Sequence, residues 1–389
     1  MLPIVLLLAA CTPNVISQYE KARSEALLVA SEHPPDWQPD AALAIATSSL
    51  EAAVDDALDL ALGADANAIQ VKLPLGLVGR VRPHLQATTV RLRPSDSCAG
   101  CFGFDAALAG KVGWSIGPAE GHIPVDVTVA GVLGIDIGEA RRILLTPRKL
   151  GAMKLTTPKG EKVEIDLDGP VQDWIRAAFN DRMPTIEVGE IDADGLPVQE
   201  LRLKTQPAGF ILELLSDVPK PVPLPTITPP KEGVTLTLSE STLVALARRA
   251  AFEAGTLSMD VAADPQTLTV DGNRFTLGLR LWRLTGAGWW RDYSVTGTLG
   301  VDGKRIRLVA TDAQETGQSR GATLVDPLAA LFEGKILEAV VDNLHQSLPA
   351  QKKAAVDTIG LSARVWKVEG VADTLVVAGE LEVVPPASR

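Results

Sequence analysis

Residues 336–386, ILEAVVDNLHQSLPAQKKAAVDTIGLSARVWKVEGVADTLVVAGELEVVPP, restate residues 171–221, VQDWIRAAFNDRMPTIEVGEIDADGLPVQELRLKTQPAGFILELLSDVPKP. The two stretches run in one register, 165 residues apart (336 against 171), with no gap. Ile336, Val340, Leu344 and Leu348 stand where Val171, Ile175, Phe179 and Met183 stand in the earlier copy. Pro349 answers Pro184, Asp357 answers Asp192, and Gly360-Leu361 answers Gly195-Leu196. The spacing i, i+4, i+8, i+12 is one face of an α-helix. A proline then stops the helix, since it cannot donate the next backbone hydrogen bond. Alternating runs follow: Glu200–Lys204 with Phe210–Leu214, and Val365–Glu369 with Leu375–Leu381. Alternation at period two gives strands with one buried face. Each copy therefore reads as a helix closed by two strands. The period is too long for a solenoid, so the chain reads as two related domains in tandem.

Working outward, each copy is preceded by a helix and a sheet. Asp40 is placed to cap a helix running to about Leu62, with Leu43, Ala46, Leu50, Val54, Leu58 and Ala61 as its apolar stripe. Glu51, Asp55, Asp56 and Asp59 face away from that stripe. Ser239 or Ser241 caps the matching helix, through about Ala254, with Leu243, Leu246, Ala247 and Ala250 on one face. Strands follow both helices, with alternation at Val125, Val127 and Val129 and again at Phe275, Leu277, Leu279 and Leu281. Asp271-Gly272 and Asp302-Gly303 are hairpin turn signals. Pro219, Pro221, Pro223, Pro225, Pro229 and Pro230 make a semi-rigid spacer between the copies. The expected division is a signal peptide at 1–10, a tether at 11–37, a first domain at 38–217, a linker at 218–232 and a second domain at 233–389. Within the tether, Val15 to Ser31 has helical character.

Composition narrows the function. The net charge is -11 over 389 residues, which disfavours nucleic acid, whose phosphates must be neutralised by Lys and Arg. It equally disfavours electrostatic docking on an anionic membrane. The four histidines, His33, His84, His122 and His345, are scattered and show no zinc-ligand spacing. At the start, an apolar run ends in Leu8-Ala9-Ala10-Cys11, which resembles a bacterial lipobox with Cys11 as the lipidated residue. A frayed apolar start with a chance cysteine is the alternative. Thr12 after the cysteine resembles outer-membrane sorting, so the expected location is the periplasmic face of a bacterial envelope. Cys98 and Cys101 remain as a pair in a turn-like segment, expected to form a local disulfide in an oxidising compartment, with a redox-active CxxC as the alternative.

A helix, a curved antiparallel sheet, a second helix and a closing hairpin, written twice across a proline linker, resembles the tubular lipid-binding (TULIP) superfamily in its two-domain form. The resemblance covers about residues 40 to 384 and rests on element order and duplication. It implies an α+β fold of two tandem domains, each a curved antiparallel sheet wrapped around long amphipathic helices. It also implies an apolar groove for acyl chains, a phospholipid or another long-chain ligand as partner, and no cofactor. Leu50, Val54, Leu58, Trp174, Ile175 and Phe179 would line it in the first domain. Leu246, Ala250, Phe332, Ile336, Val340 and Leu344 would line it in the second. Ordinary core packing is the alternative for each. The chain lacks the basic surface of the endotoxin-binding members.

The expected function is lipid binding or transfer without covalent chemistry. The runner-up is an envelope assembly lipoprotein with a filled interior, which binds a protein partner. Trp289-Trp290, after Gly286-Ala287-Gly288, reads as a loop tip able to touch a membrane interface or to pack back on the sheet. Gly113-Trp114-Ser115-Ile116-Gly117 fits a hydrolase pattern at Ser115, but prolines and a strand follow where a nucleophile elbow needs a helix. Asp192-Ala193-Asp194-Gly195 hints at a calcium loop, yet Leu201 stands where the closing glutamate belongs.

Overall fold

A computed structural model describes residues 14–30, 36–63, 69–72, 78–98, 100–138, 141–156, 168–190, 198–219, 221–258, 260–286, 288–302, 305–319 and 358–385. The first half of the chain runs α1 (Val15–Ala26), β1 (Ala41–Ala46), α2 (Thr47–Gly63), β2 (Ile69–Lys72), β3 (Val78–Ser95), β4 (Cys101–Ile116), β5 (Ala119–Ile137), β6 (Arg142–Thr156), α3 (Asp168–Asp181), β7 (Thr185–Glu190), β8 (Val198–Gln206) and β9 (Gly209–Ser216). The second half runs β10 (Val234–Ser239), α4 (Glu240–Ala254), β11 (Thr256–Ser258), β12 (Val261–Asp271), β13 (Arg274–Arg283), β14 (Trp289–Asp302), β15 (Arg305–Gln318), β16 (Thr358–Val371) and β17 (Thr374–Val384).

The strands do not form one sheet per half. A 12-stranded sheet takes the order β2-β3-β4-β5-β6-β7-β16-β17-β10-β1-β9-β8, and a second sheet holds β11 to β15. At the centre, β1 pairs with β10 antiparallel, Leu43 opposite Leu236. On the outer sides β9 pairs with β1 and β17 with β10, so four strands from both halves lie together. One parallel pairing, Thr358 opposite Thr185, joins β16 to β7. The two sheets meet where Gly370 and Gly272 exchange backbone bonds of 2.7 and 3.0 Å. A Cβ on Gly370 would lie 2.4 Å from the Val270 carbonyl carbon, so the junction requires glycine there.

This corrects the expected α+β fold of sheets wrapped around long amphipathic helices. The described helices have 12, 17, 14 and 15 residues, and strands dominate. The difference has a local cause. Ala41–Ala46 is apolar throughout and buried on both faces, and a short continuous apolar run does not distinguish strand from helix by periodicity. Leu43 and Ala46 belong to this strand and not to the stripe of the helix that follows. Asp40 caps no helix; it precedes β1 and is fully buried. Of the two candidate caps of the second helix, Ser239 is the one that serves, accepting from the Thr242 N–H. The hairpins β8–β9 and β16–β17 also appear where the repeat placed them, their turns at 207–208 and 372–373 being 165 residues apart.

One apolar core cluster spans both halves, from Leu50 on α2 to Leu243 on α4 and Phe275 on β13. α1 lies against the second half. Tyr19 packs on Phe252 and Trp282, at ring centroid distances of 5.5 and 6.0 Å.

Candidate functional site

In the first half α2 crosses the inner face of the curved sheet beside α3. Leu50, Val54, Leu58, Trp174, Ile175 and Phe179 are all buried in the common core. Phe179 stacks on Phe104 of β4 at 5.6 Å. Leu58, Ala106, Leu108, Val129, Ile175 and Phe179 surround a seam whose cavity is about 10 Å3. In the second half α4 lies across β12 to β15 and β17. Leu243, Val244, Ala247, Leu268, Phe275 and Leu375 are among the residues around a similar seam of about 20 Å3. Both linings are wholly apolar side chains. Leu246 is buried in the same core and Ala250 is half-buried, while Phe332, Ile336, Val340 and Leu344 lie outside the described residues.

Of the acidic residues of α2, Asp56 is exposed, but Glu51, Asp55 and Asp59 are half-buried against a strand edge. β3 extends beyond its short partner β2 and leaves backbone N–H groups on an open edge. Glu51 accepts from Leu92 N at 2.8 Å, and Asp59 accepts from Ala87 N at 2.7 Å. Four helical residues rise about 6 Å and two strand residues about 6.6 Å, so carboxylates four apart can meet alternate amides. Asp55 stands between them with Oδ1 buried and unpartnered. Burial pushes its carboxyl up from the ordinary value, and Asp59 and then Asp56 push it further.

The α4–β12 edge repeats this plan with altered chemistry. β3 bulges at Thr88 and β12 at Gln266, each four residues before the amide that a glutamate covers. Glu240 accepts from Val270 N at 2.6 Å. Burial raises its carboxyl; the bond to Val270 lowers it, and nearby Asp373 raises it again. Where the first half has the Ala87 N–H and Asp59, the second has Pro265, with no N–H, and Arg248. Arg248 is released to grip the buried Asp264 at 2.7 Å. Between these ends lies Val244, four residues from both Glu240 and Arg248 and beside Leu268, and among the described residues no carboxylate covers the strand there. An open cavity of about 600 Å3 lies here, bounded by α4, Gln266–Thr269, the end of α1 at Ala26 and the linker at Val218 and Val222. Sequence reasoning passed over this place because an open strand edge leaves no mark in apolar periodicity.

The remaining candidates resolve locally. Cys98 and Cys101 form a disulfide in the turn between β3 and β4. Trp289 and Trp290 are not at a loop tip: they open β14 opposite Arg283 and Trp282, with Arg280 4.1 Å over the Trp290 ring. Ser115 lies near the end of β4, and the chain turns at Gly117 into β5 rather than into a helix. Asp192–Gly195 and Cys11 lie outside the described residues. Among the described residues no group of His, Cys, Asp and Glu is placed to hold a metal, and no helix is long and apolar enough to cross a membrane.

No family model and no curated protein matches this chain. Among solved structures the chain is similar to lipopolysaccharide binding protein, at 12% identity and TM-score 0.37, over 90% of this chain and 100% of that one. It is also similar to P47 of Clostridium botulinum E1, at 9% identity and TM-score 0.38, over 89% and 100%. For P47 from Clostridium botulinum A2 the values are 9% and 0.36, over 88% and 97%. These likenesses are distant.

Proposed function

We propose that this chain binds a lipid or another long-chain apolar ligand, and that it is held on the periplasmic face of a bacterial envelope by acylation of Cys11. The observation that carries the reading is the pair of helix–sheet seams lined entirely by carbon. Burying an acyl chain contributes roughly 0.8 kcal/mol per CH2, so a chain of about 14 carbons supplies on the order of 10 kcal/mol before ordering costs. Seams of about 10 and 20 Å3 hold no chain at rest, so loading requires the helix to lift from the sheet. That same small volume favours a second reading, an assembly lipoprotein with a filled interior that engages an envelope partner through its surface.

Native mass spectrometry separates the two. The chain carrying Cys11→Ser, which removes the anchor as a source of lipid, is purified without detergent and then extracted with solvent. Bound phospholipid or fatty acid, released on denaturation, is the expected result. A clean apo mass, also after incubation with lipid, would leave the partner-binding reading in its place.

A further inference from the structure

The open cavity and the dry seam of the second half share two lining residues, Val244 and Leu268. Both are half-buried, one on α4 and the other on the uncovered stretch of β12. They stand between a space of about 600 Å3 open to solvent and one lined only by carbon. In the first half the corresponding edge is closed, because Glu51 and Asp59 hold the Leu92 and Ala87 amides of β3. The open cavity of about 420 Å3 that shares Ala106 and Val129 with the first seam meets it only across the paired strands β4 and β5. We propose, on the basis of the lipid-binding reading above, that the chain loads one acyl lipid through the second half only. Val244 and Leu268 form the portal, and the outer cavity receives an ammonium-bearing head group.

The head-group assignment follows from charge. Arg248 on the cavity wall is neutralised by Asp264, which leaves Glu240 and Asp373 as the charged wall residues without an ion pair among the described residues. Two carboxylates outweigh the half-charge of the α4 N-terminus. Opposite charge within the cavity favours a cationic group over a bare anion. Ser241, Thr267 and Thr269 add polar contacts along the rim. An acyl chain passing between Val244 and Leu268 enters the seam at Ala247, Phe275 and Leu375 without crossing a hydrogen-bonded strand pair.

The test uses the full-length Cys11→Ser chain with vesicles of phosphatidylethanolamine or of phosphatidylglycerol, and counts bound lipid over time by native mass spectrometry. One lipid per chain is expected, taken from the ethanolamine vesicles by preference. Val244→Trp should slow loading about tenfold, the effect of a barrier higher by ~1.4 kcal/mol, with an unchanged melting temperature. Val244→Ala should speed it, and carries the test should the tryptophan variant not fold. Glu240→Gln, which keeps an acceptor for Val270 N, combined with Asp373→Asn, should abolish the head-group preference while chain uptake persists. Lipid uptake that neither Val244 variant alters would overturn the portal and leave the lipid-binding reading standing. Two lipids per chain would overturn the restriction to one half, and a preference for phosphatidylglycerol would overturn the head-group assignment. No uptake from either vesicle by the Cys11→Ser chain would remove the underlying reading itself.

Discussion

At the scale of single residues, Asp40 shows how one buried carboxylate ties distant segments together. It accepts from Ser216 N at 2.8 Å, from the Ser216 hydroxyl, and from the Thr242 hydroxyl at 2.6 Å. Its own carbonyl accepts from Ser239 N at 2.9 Å. The side chain thus joins the start of β1 to the end of β9 and the first turn of α4. Asp40→Ala would strand a buried amide and remove two charge-assisted bonds. The expected loss is about 3 kcal/mol, read as a lower urea midpoint at unchanged slope. Asp55 behaves oppositely. Its folded carboxyl is raised above the ordinary value, so it keeps its proton to higher pH than in the unfolded chain. Folding is therefore penalised as pH rises from the ordinary aspartate range of about 3.9 through the folded value, and the penalty is complete above it. Asp55→Asn should stabilise the protein at pH 7 by about 0.5 kcal/mol, the scale of a like-charge i,i+4 pair. Urea melts at pH 3 should show no such gain; an equal gain at both values would refute the ionisation account.

At the scale of elements, the sequence told direction better than environment. The alternation of β5 was legible, because Val125, Val127 and Val129 point to one core. The stripe of α2 was equally legible at Leu50, Val54 and Leu58. A helical wheel placed Glu51, Asp55 and Asp59 away from that stripe, but it could not say that a strand edge lay there. Edges are made by which strands fall short, and β2 with 4 residues against 18 in β3 is a tertiary outcome. The same blindness hid the cavity beside β12. Phe332, Ile336, Val340 and Leu344 fall outside the described residues and leave the second groove legible only on its α4 side. The capping role predicts a sharp chemical contrast. Asp59→Ala should cost about 1–2 kcal/mol by leaving the Ala87 amide unsatisfied, whereas Asp59→Asn keeps an acceptor and should cost less than half as much. Hydrogen exchange at Ala87 should accelerate in the alanine variant alone. Equal acceleration in both variants would mean that charge, not the acceptor, matters.

At the scale of the whole molecule, the repeat in sequence and the sheet in space divide the chain differently. The repeat sets residues before 218 apart from those after 232. Yet β1 and β10, which precede α2 and α4, pair with each other and are flanked by β9 and β17. Each copy thus supplies one helix-leading strand and one closing hairpin strand to a shared centre. Ile45 sits in that centre, fully buried, opposite Val234 of β10 on one side and Phe210 of β9 on the other. Ile45→Ala should remove about 2–4 kcal/mol. Were the halves separately stable, only the first would feel the change, and β13 amides would keep their protection. With ladder bonds and core contacts running through the centre, opening either half exposes the other's edge strand, so the cost is shared. Native-state hydrogen exchange should therefore show the slowest amides of β4 and of β13 losing equal protection in this variant, within a single cooperative denaturant transition. Loss confined to β4 would mean that the β1–β10 pairing joins two independent units rather than one.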